Sequence, residues 1–283
     1  MSALDSSHNQ GEPLFYTIRL DGAIVPKIML HGFNLAAARV TCEARLPFKT
    51  FSSGFGPGVY GLAINPNGGT VLVLGPTGAG PAKMDFRHSL LQIDPSASPP
   101  TIKTVAALDR LIETEAASST YDASNGIFYT LSEFSEGVNA VVGISVLTGQ
   151  IAYSRTTTLY TIDFHNGLLL GFGFGVTVDP HTKEPKQIRT LATLNPTNNA
   201  SAVLMNLTGY AQNLPPTALN AETGLLVALL TPQDSVAGNL VSINTTSLKV
   251  VSEPQMCVEY DQCPWTLAWE YAAGAAVAPA PQL

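Results

Sequence analysis

Charge is scarce in this chain. Charged residues make up 12% of 283 positions, about half of the roughly 25% usual in soluble domains, so surface polarity has to come from Ser, Thr, Asn, Gln and the backbone. Only 14 Lys and Arg stand against 21 Asp and Glu, giving a net charge of −7 with no basic cluster. Without such a cluster a phosphate backbone cannot be neutralised, and nucleic acid is not an expected partner. Long hydrophobic runs are missing too. The most apolar segments, 167–176 and 225–230, fall well short of the ~20 residues that cross a bilayer, so no membrane span is expected. The polar start lacks the basic and apolar stretches of a secretory signal, which makes the cytoplasm the default expectation.

Cysteine numbers only 3. All three cannot pair within one chain: either Cys257 and Cys263 close a small disulfide loop or the thiols are free. Also missing are a Gly-x-Ser-x-Gly elbow, a His-Glu-x-x-His pair and a Cys-x-x-Cys pair. Covalent and zinc-based catalysis therefore gain no support.

What is present is a 45% hydrophobic composition, which excludes general disorder, and an internal repeat. A short strand ends in Asp, Asn or Glu, Gly follows four positions later, and an almost unbroken apolar run comes next. The copies carry Asn65 and Gly69, Asp122 and Gly126, Asp163 and Gly167, Asn220 and Gly224, and a degenerate Glu270 and Gly274. The polar side chain suits a hairpin turn, and Gly supplies a positive φ there without steric penalty. After each copy comes a second hairpin pattern, at 90–105, 141–154, 190–205 and 240–252. Four strands per repeat are thus predicted.

The fifth copy runs out of chain, and its missing second hairpin is expected at the other terminus, in residues 15–29. A repeat completed across the termini closes a ring, whereas a solenoid needs two distinct ends. The predicted fold is all-β: a β-propeller of about five four-stranded blades, closed by N-terminal strands pairing with a C-terminal strand at 265–271. Residues 1–13 are expected to be disordered, 14–271 to form the propeller and 272–283 to be an Ala/Pro-rich tail. Stretch 31–56 reads as an insertion, with a sixth, eroded blade left open.

Residues flanking the signature fit a tapered ring. Two positions before it are Ala63, Thr120, Thr161, Ala218 and Ala268, all small; one position before are Ile64, Tyr121, Ile162, Leu219 and Trp269, all large. Successive strand residues face opposite neighbours, so small against large lets sheets interdigitate around an axis. The repeats resemble the gluconolactonase-like, senescence-marker-like and strictosidine-synthase-like propellers, whose blades also combine a strand, an Asp-containing turn, Gly and an apolar strand. That resemblance implies the fold and, for many of its members, one axial divalent cation; no distinctive motif assigns ligands for it here, and no cofactor is expected.

Loops carry function while the scaffold positions them. The longer connections, 75–88, 173–188, 208–216 and 253–264, all belong to the face that bears second-to-third loops and interblade links. A small-molecule or sugar ligand is expected at this mouth, held by Tyr60, His88, Arg155, Tyr160, His181 and Trp265. The alternative is a propeller enzyme: a lactone or ester hydrolase, or a metal-independent cyclase or isomerase on an apolar substrate. Asn65, Asp122, Asp163, Asn220 and Glu270 could together hold a cation, but capping their own hairpins explains all five at once.

Overall fold

Each described apolar run that follows a turn glycine is the second strand of a four-stranded antiparallel sheet. The computed structural model describes residues 2–5, 14–21, 27–34, 39–48, 61–65, 68–79, 86–109, 118–135, 138–178, 182–211, 217–220, 223–233, 235 and 237–257. The first sheet holds β1 (Ser2–Asp5), β2 (Leu14–Asp21), β3 (Lys27–Asn34) and β4 (Arg39–Arg45). The second holds β5 (Gly61–Asn65), β6 (Thr70–Ala79), β7 (Phe86–Asp94) and β8 (Thr101–Asp109). β9 (Ser119–Asp122), β10 (Ile127–Ser135), β11 (Val138–Ser145) and β12 (Ile151–Thr157) make the third. The fourth is β13 (Asp163–His165), β14 (Leu168–Val178), β15 (Pro185–Leu194) and β16 (Ser201–Leu207). The fifth is β17 (Thr217–Asn220), β18 (Leu225–Leu230), β19 (Gly238–Asn244) and β20 (Lys249–Ser252), with β21 (Gln255–Cys257) also pairing with β19. Strand order within each sheet follows the chain, the meander of a propeller blade.

Packing between sheets follows the small-and-large columns in the second, third and fifth sheets, while in the fourth the large place expected for Ile162 belongs to Phe164, two residues on. Ile64 packs back onto the first sheet, Tyr121 onto the second, Phe164 onto the third and Leu219 onto the fourth. Four apolar clusters fill the four seams between successive sheets. At the narrow inner radius, hydroxyls replace side-chain packing. Ser119 Oγ accepts from Leu62 N at 2.8 Å and donates to Leu62 O, stitching β9 to β5. Ser118 does the same for Ile162, and Thr120 Oγ1 accepts from Phe164 N at 3.0 Å, stitching β9 to the next sheet. A Ser-Ser-Thr run thus ties the third sheet to both neighbours.

The outer rim repeats as well. In all five sheets the fourth strand carries one extra residue against the third: Thr41, Val105, Ala152, Leu204 and Val251. Such bulges bend an exposed edge and blunt it against pairing with another chain.

Three details depart from the sequence-based expectation. Residues 15–29 hold the second and third strands of their sheet, and the fourth, Arg39–Arg45, lies inside the stretch taken for an insertion. A two-residue period identifies a hairpin but cannot say which hairpin of a meander it is. The inner place expected for 265–271 is filled by Ser2–Asp5, paired with Leu14–Thr17; residues 265–271 lie outside the described residues. Ser2–Asp5 is therefore a strand and not part of a disordered segment. The free edge of β2 offers N–H and C=O groups that a partner must satisfy, and four residues suffice without showing any periodicity.

The third departure concerns Asp163. Asn65, Asp122 and Asn220 pair directly beside their turns, but in the fourth sheet that place belongs to His165, opposite Leu168. Asn166 and Gly167, with φ of 51° and 78°, make a two-residue hairpin where the others use a longer turn. Asp163 consequently lies level with Ala63, Thr120 and Ala218, in the small column. A slip of two leaves the alternation intact, which is why the sequence pattern hides it.

Gly171 is set against Thr161 so closely that an added Cβ would lie 1.8 Å from its carbonyl oxygen, whereas one on Gly209 would meet nothing within 4 Å. Gly171→Ala is expected to destabilise by more than about 3 kcal/mol and Gly209→Ala by less than about 0.5 kcal/mol in urea unfolding. Ser119→Ala leaves a backbone donor and acceptor of Leu62 unpaired, and is expected to lose about 1–3 kcal/mol in the same assay.

Candidate functional site

Two of the inner polar residues serve their own turns. Asp122 accepts from Ser124 N and Oγ and from Asn125 N and Nδ2, and these bonds outweigh its burial and hold its carboxyl below the usual range. Asn220 Oδ1 accepts from Thr223 N at 3.0 Å. Asp163 is different, because its shifted register takes it off the turn and against the fifth sheet, where Oδ2 accepts from Thr217 Oγ1 at 3.2 Å. Burial pushes its carboxyl up to about 6 although the Thr217 bond opposes the shift. His165 lies two residues along the same strand face, its ring 3.5 Å from where a Cβ on Gly224 would stand.

Toward the mouth, polar side chains brace the links between sheets. Asn139 Nδ2, on the third strand of the third sheet, donates to Leu159 O in the link that leaves that sheet. Arg189 repeats the device one sheet on, donating through a guanidinium nitrogen to Ala211 O. Each link then pairs with the next sheet's second strand or its extension, through Leu159 with Gly173 and Tyr210 with Pro232. Arg189 has no exposed surface, and its guanidinium carbon lies 5.8 Å from the Tyr160 ring centre and 5.9 Å from that of Phe172. Tyr160 in turn packs on Phe174 at 4.6 Å between ring centres. Burial pushes the Tyr160 hydroxyl up to about 12 against the pull of Arg189.

Sheets of unequal height shape the mouth. The β14–β15 ladder runs to Val178 paired with Pro185, eleven residues past Gly167, while the β18–β19 ladder ends at Leu230 paired with Asn239, six past Gly224. Five residues, Phe174 to Val178, thus project beyond that ladder, roughly 17 Å at ~3.3 Å per residue, and three of them beyond Pro232, where the fifth sheet's second strand still pairs with Tyr210. Phe174, Val176 and Val178 share the strand face that Leu170 and Phe172 turn to the fifth sheet, and Val176 and Val178 are 73% and 60% exposed. Facing them, Asn239 shares the side of β19 that carries Val241 and Ile243 into the same seam. Asn239 Nδ2 donates to Glu253 Oε1 at 2.9 Å, and the Tyr210 hydroxyl donates to Glu253 as well. Burial first, then Glu253, raises the Tyr210 hydroxyl above its ordinary range. The result is a notch over the fifth sheet with an apolar wall and a polar, partly aromatic ledge.

Of the residues singled out from sequence, His88 is buried on the third strand of the second sheet, Arg155 is half-buried on the outer strand of the third, and Tyr160 is buried in the link that follows. They share no described contact with one another. Tyr60, His181 and Trp265 lie outside the described residues. Cys42 is a buried free thiol raised to about 11 by burial and then Glu43; Cys257 ends a strand, and Cys263, its expected partner, lies outside the described residues. Sequence reasoning missed Arg189, which shares its strand face with Gln187, Leu191 and Thr193, a mixed face that gives no sign of burial. Tyr210 and Glu253 fall in the mouth connections 208–216 and 253–264 read from sequence, but nothing there singles them out and Asn239 lies outside both; the three meet only when separate segments fold together.

Asp163 yields a pH dependence. Because its folded value is raised, the folded state holds a proton the unfolded chain has released, so this contribution to stability is full below about pH 4 and lost as pH rises through about 6. Asp163→Asn is expected to flatten that decline and to gain on the order of 1–2 kcal/mol over wild type near pH 7. Urea unfolding at pH values from about 4 to about 7 measures it.

The chain is similar in fold to an apocarotenoid oxygenase variant from Synechocystis, at 11% identity and a TM-score of 0.53 over 94% of this chain and 63% of that one. It is likewise similar to the β-propeller domain of the Trilobed protease from Pyrococcus furiosus, at 7% identity and a TM-score of 0.52 over 90% and 70% of the two chains. A putative TolB from Agrobacterium tumefaciens matches at 9% identity with a TM-score of 0.51 over 92% and 82%. The chain spans less than two thirds of the length of the apocarotenoid oxygenase. No protein-family model matches the chain, and no curated protein matches it. Likeness at such identities carries architecture and no activity: by sheet topology and by these neighbours, the chain is a β-propeller.

Proposed function

We propose that this propeller is a recognition module that holds a small organic ligand at its mouth, in the notch over the fifth sheet. The observation that carries it is the step in height: Val176 and Val178 stand exposed on a rib that runs five residues past Leu230, opposite Asn239, and three past Pro232, where Tyr210 pairs. An exposed apolar face opposite fixed polar groups is what a ligand needs for affinity and orientation. The straps from Asn139 and Arg189 hold the links beside the notch in place, which lowers the ordering entropy a ligand would otherwise have to offset. Kinship with the gluconolactonase-like group belongs to the same proposal, supported by the shared hairpin signature.

Thermal unfolding of the full chain against a panel of small organic molecules and neutral sugars tests this. A true ligand at about 100 times its Kd adds about 2.7 kcal/mol, a rise of several degrees in Tm. Val176→Lys is expected to abolish the rise without lowering the unliganded Tm. A panel with no stabilising compound, or one whose hits bind Val176→Lys unchanged, overturns the proposal.

A further inference from the structure

Tyr210, Asn239 and Glu253 come from the link before the fifth sheet, from its third strand and from the bend after its fourth. None of the five segments that the sequence pattern repeats contains them. They converge on one carboxylate, which Asn239 holds at 2.9 Å through its amide nitrogen and Tyr210 through its hydroxyl. An ionised carboxylate has about four acceptor positions, and these two donors use two of them. Glu253 is exposed, Asn239 and Tyr210 half-buried, and the Asn239 amide keeps an oxygen acceptor of its own. The group is thus an array of hydrogen-bond acceptors beside a half-buried aromatic ring, and Asn239 is in phase with the residues that fill the seam to which the face of Val176 and Val178 belongs.

Resting on the mouth assignment above, we infer that the ledge formed by Tyr210, Asn239 and Glu253 is a subsite for a neutral polyhydroxylated ring, a sugar. A sugar presents hydroxyl donors along its edge and C–H groups on its faces. Glu253 and the Asn239 oxygen take the hydroxyls, and the C–H face lies toward the valine rib. A carboxylate accepting from a hydroxyl makes the stronger, charge-assisted kind of hydrogen bond, and it disfavours an anionic ligand by like-charge repulsion. The subsite therefore discriminates by both charge and shape: a flat aromatic acid meets the rib but is repelled at the ledge, and a simple polyol lacks the ring face.

Saturation-transfer NMR on the full chain, with cellobiose, maltose, chitobiose and galactobiose as probes, tests the inference. At least one disaccharide is expected to bind, with Glu253→Gln weakening it about tenfold or more and Tyr210→Phe several-fold. Both variants should unfold within a few degrees of wild type, because Glu253 is exposed and Phe keeps the Tyr210 ring. A disaccharide that binds Glu253→Gln as well as wild type overturns the inference. If no disaccharide binds while another small molecule stabilises the protein in a Val176-dependent way, the sugar assignment falls and the mouth assignment stands. If neither binds, both fall.

Discussion

Five sheets converging on one axis cannot all present full-sized side chains to one another, and this crowding is the constraint from which the remaining structure follows. The chain meets it in two ways. Inner strands alternate small residues, Ala63, Thr120 and Ala218, with large ones, Ile64, Tyr121, Phe164 and Leu219, so that each sheet's flat side receives its neighbour's bulk. Where backbones come too close for any packing, the hydroxyls of Ser118, Ser119 and Thr120 pair directly with the next strand's peptide groups. Buried backbone groups must be satisfied, and at this radius a two-atom side chain is the only one short enough to do it. Hence the charge-poor, Ser- and Thr-rich composition: a long charged side chain has no place near the axis.

Against that background Asp163 is an intrusion. It occupies a column reserved for small residues, and the fifth sheet answers it with a neutral hydroxyl, Thr217. Removal from water penalises the ionised form more than one hydrogen bond restores it, so the carboxyl titrates near 6. The same pressure acts differently at Asp122, where four donors from its own turn more than compensate. Two aspartates at the same place in a sequence repeat thus end in opposite electrostatic states, separated by a hairpin shorter in the fourth sheet.

The mouth is built by the opposite logic. Links are fastened by polar straps from third strands, Asn139 to Leu159 and Arg189 to Ala211, and by short pairings with the sheet that follows. With the links fixed, relief comes from strand length alone: the β14–β15 ladder runs five residues past the β18–β19 ladder and three past the Tyr210–Pro232 pairing. The rib of Val176 and Val178 and the ledge of Tyr210, Asn239 and Glu253 exist only because neighbouring sheets are unequal.

By itself the sequence determined the class, the meander of four strands and the hairpin positions, since these rest on local periods and on turn chemistry that a glycine with positive φ makes unmistakable. It also carries the alternation that packs the seams, in place in the second, third and fifth sheets and two residues early in the fourth. The frame, in contrast, comes from how the strands pair in space. A period of two is blind to a shift of two, so the pattern makes Asp163 a turn residue; a four-residue strand shows no period, so the pattern points to a C-terminal partner in place of Ser2–Asp5. Function stood furthest from view for the same reason. The connections 208–216 and 253–264 mark the mouth, but Arg189, Tyr210, Asn239 and Glu253 acquire meaning from which residues meet across a seam, and contact between distant segments leaves no local trace in the order of the chain.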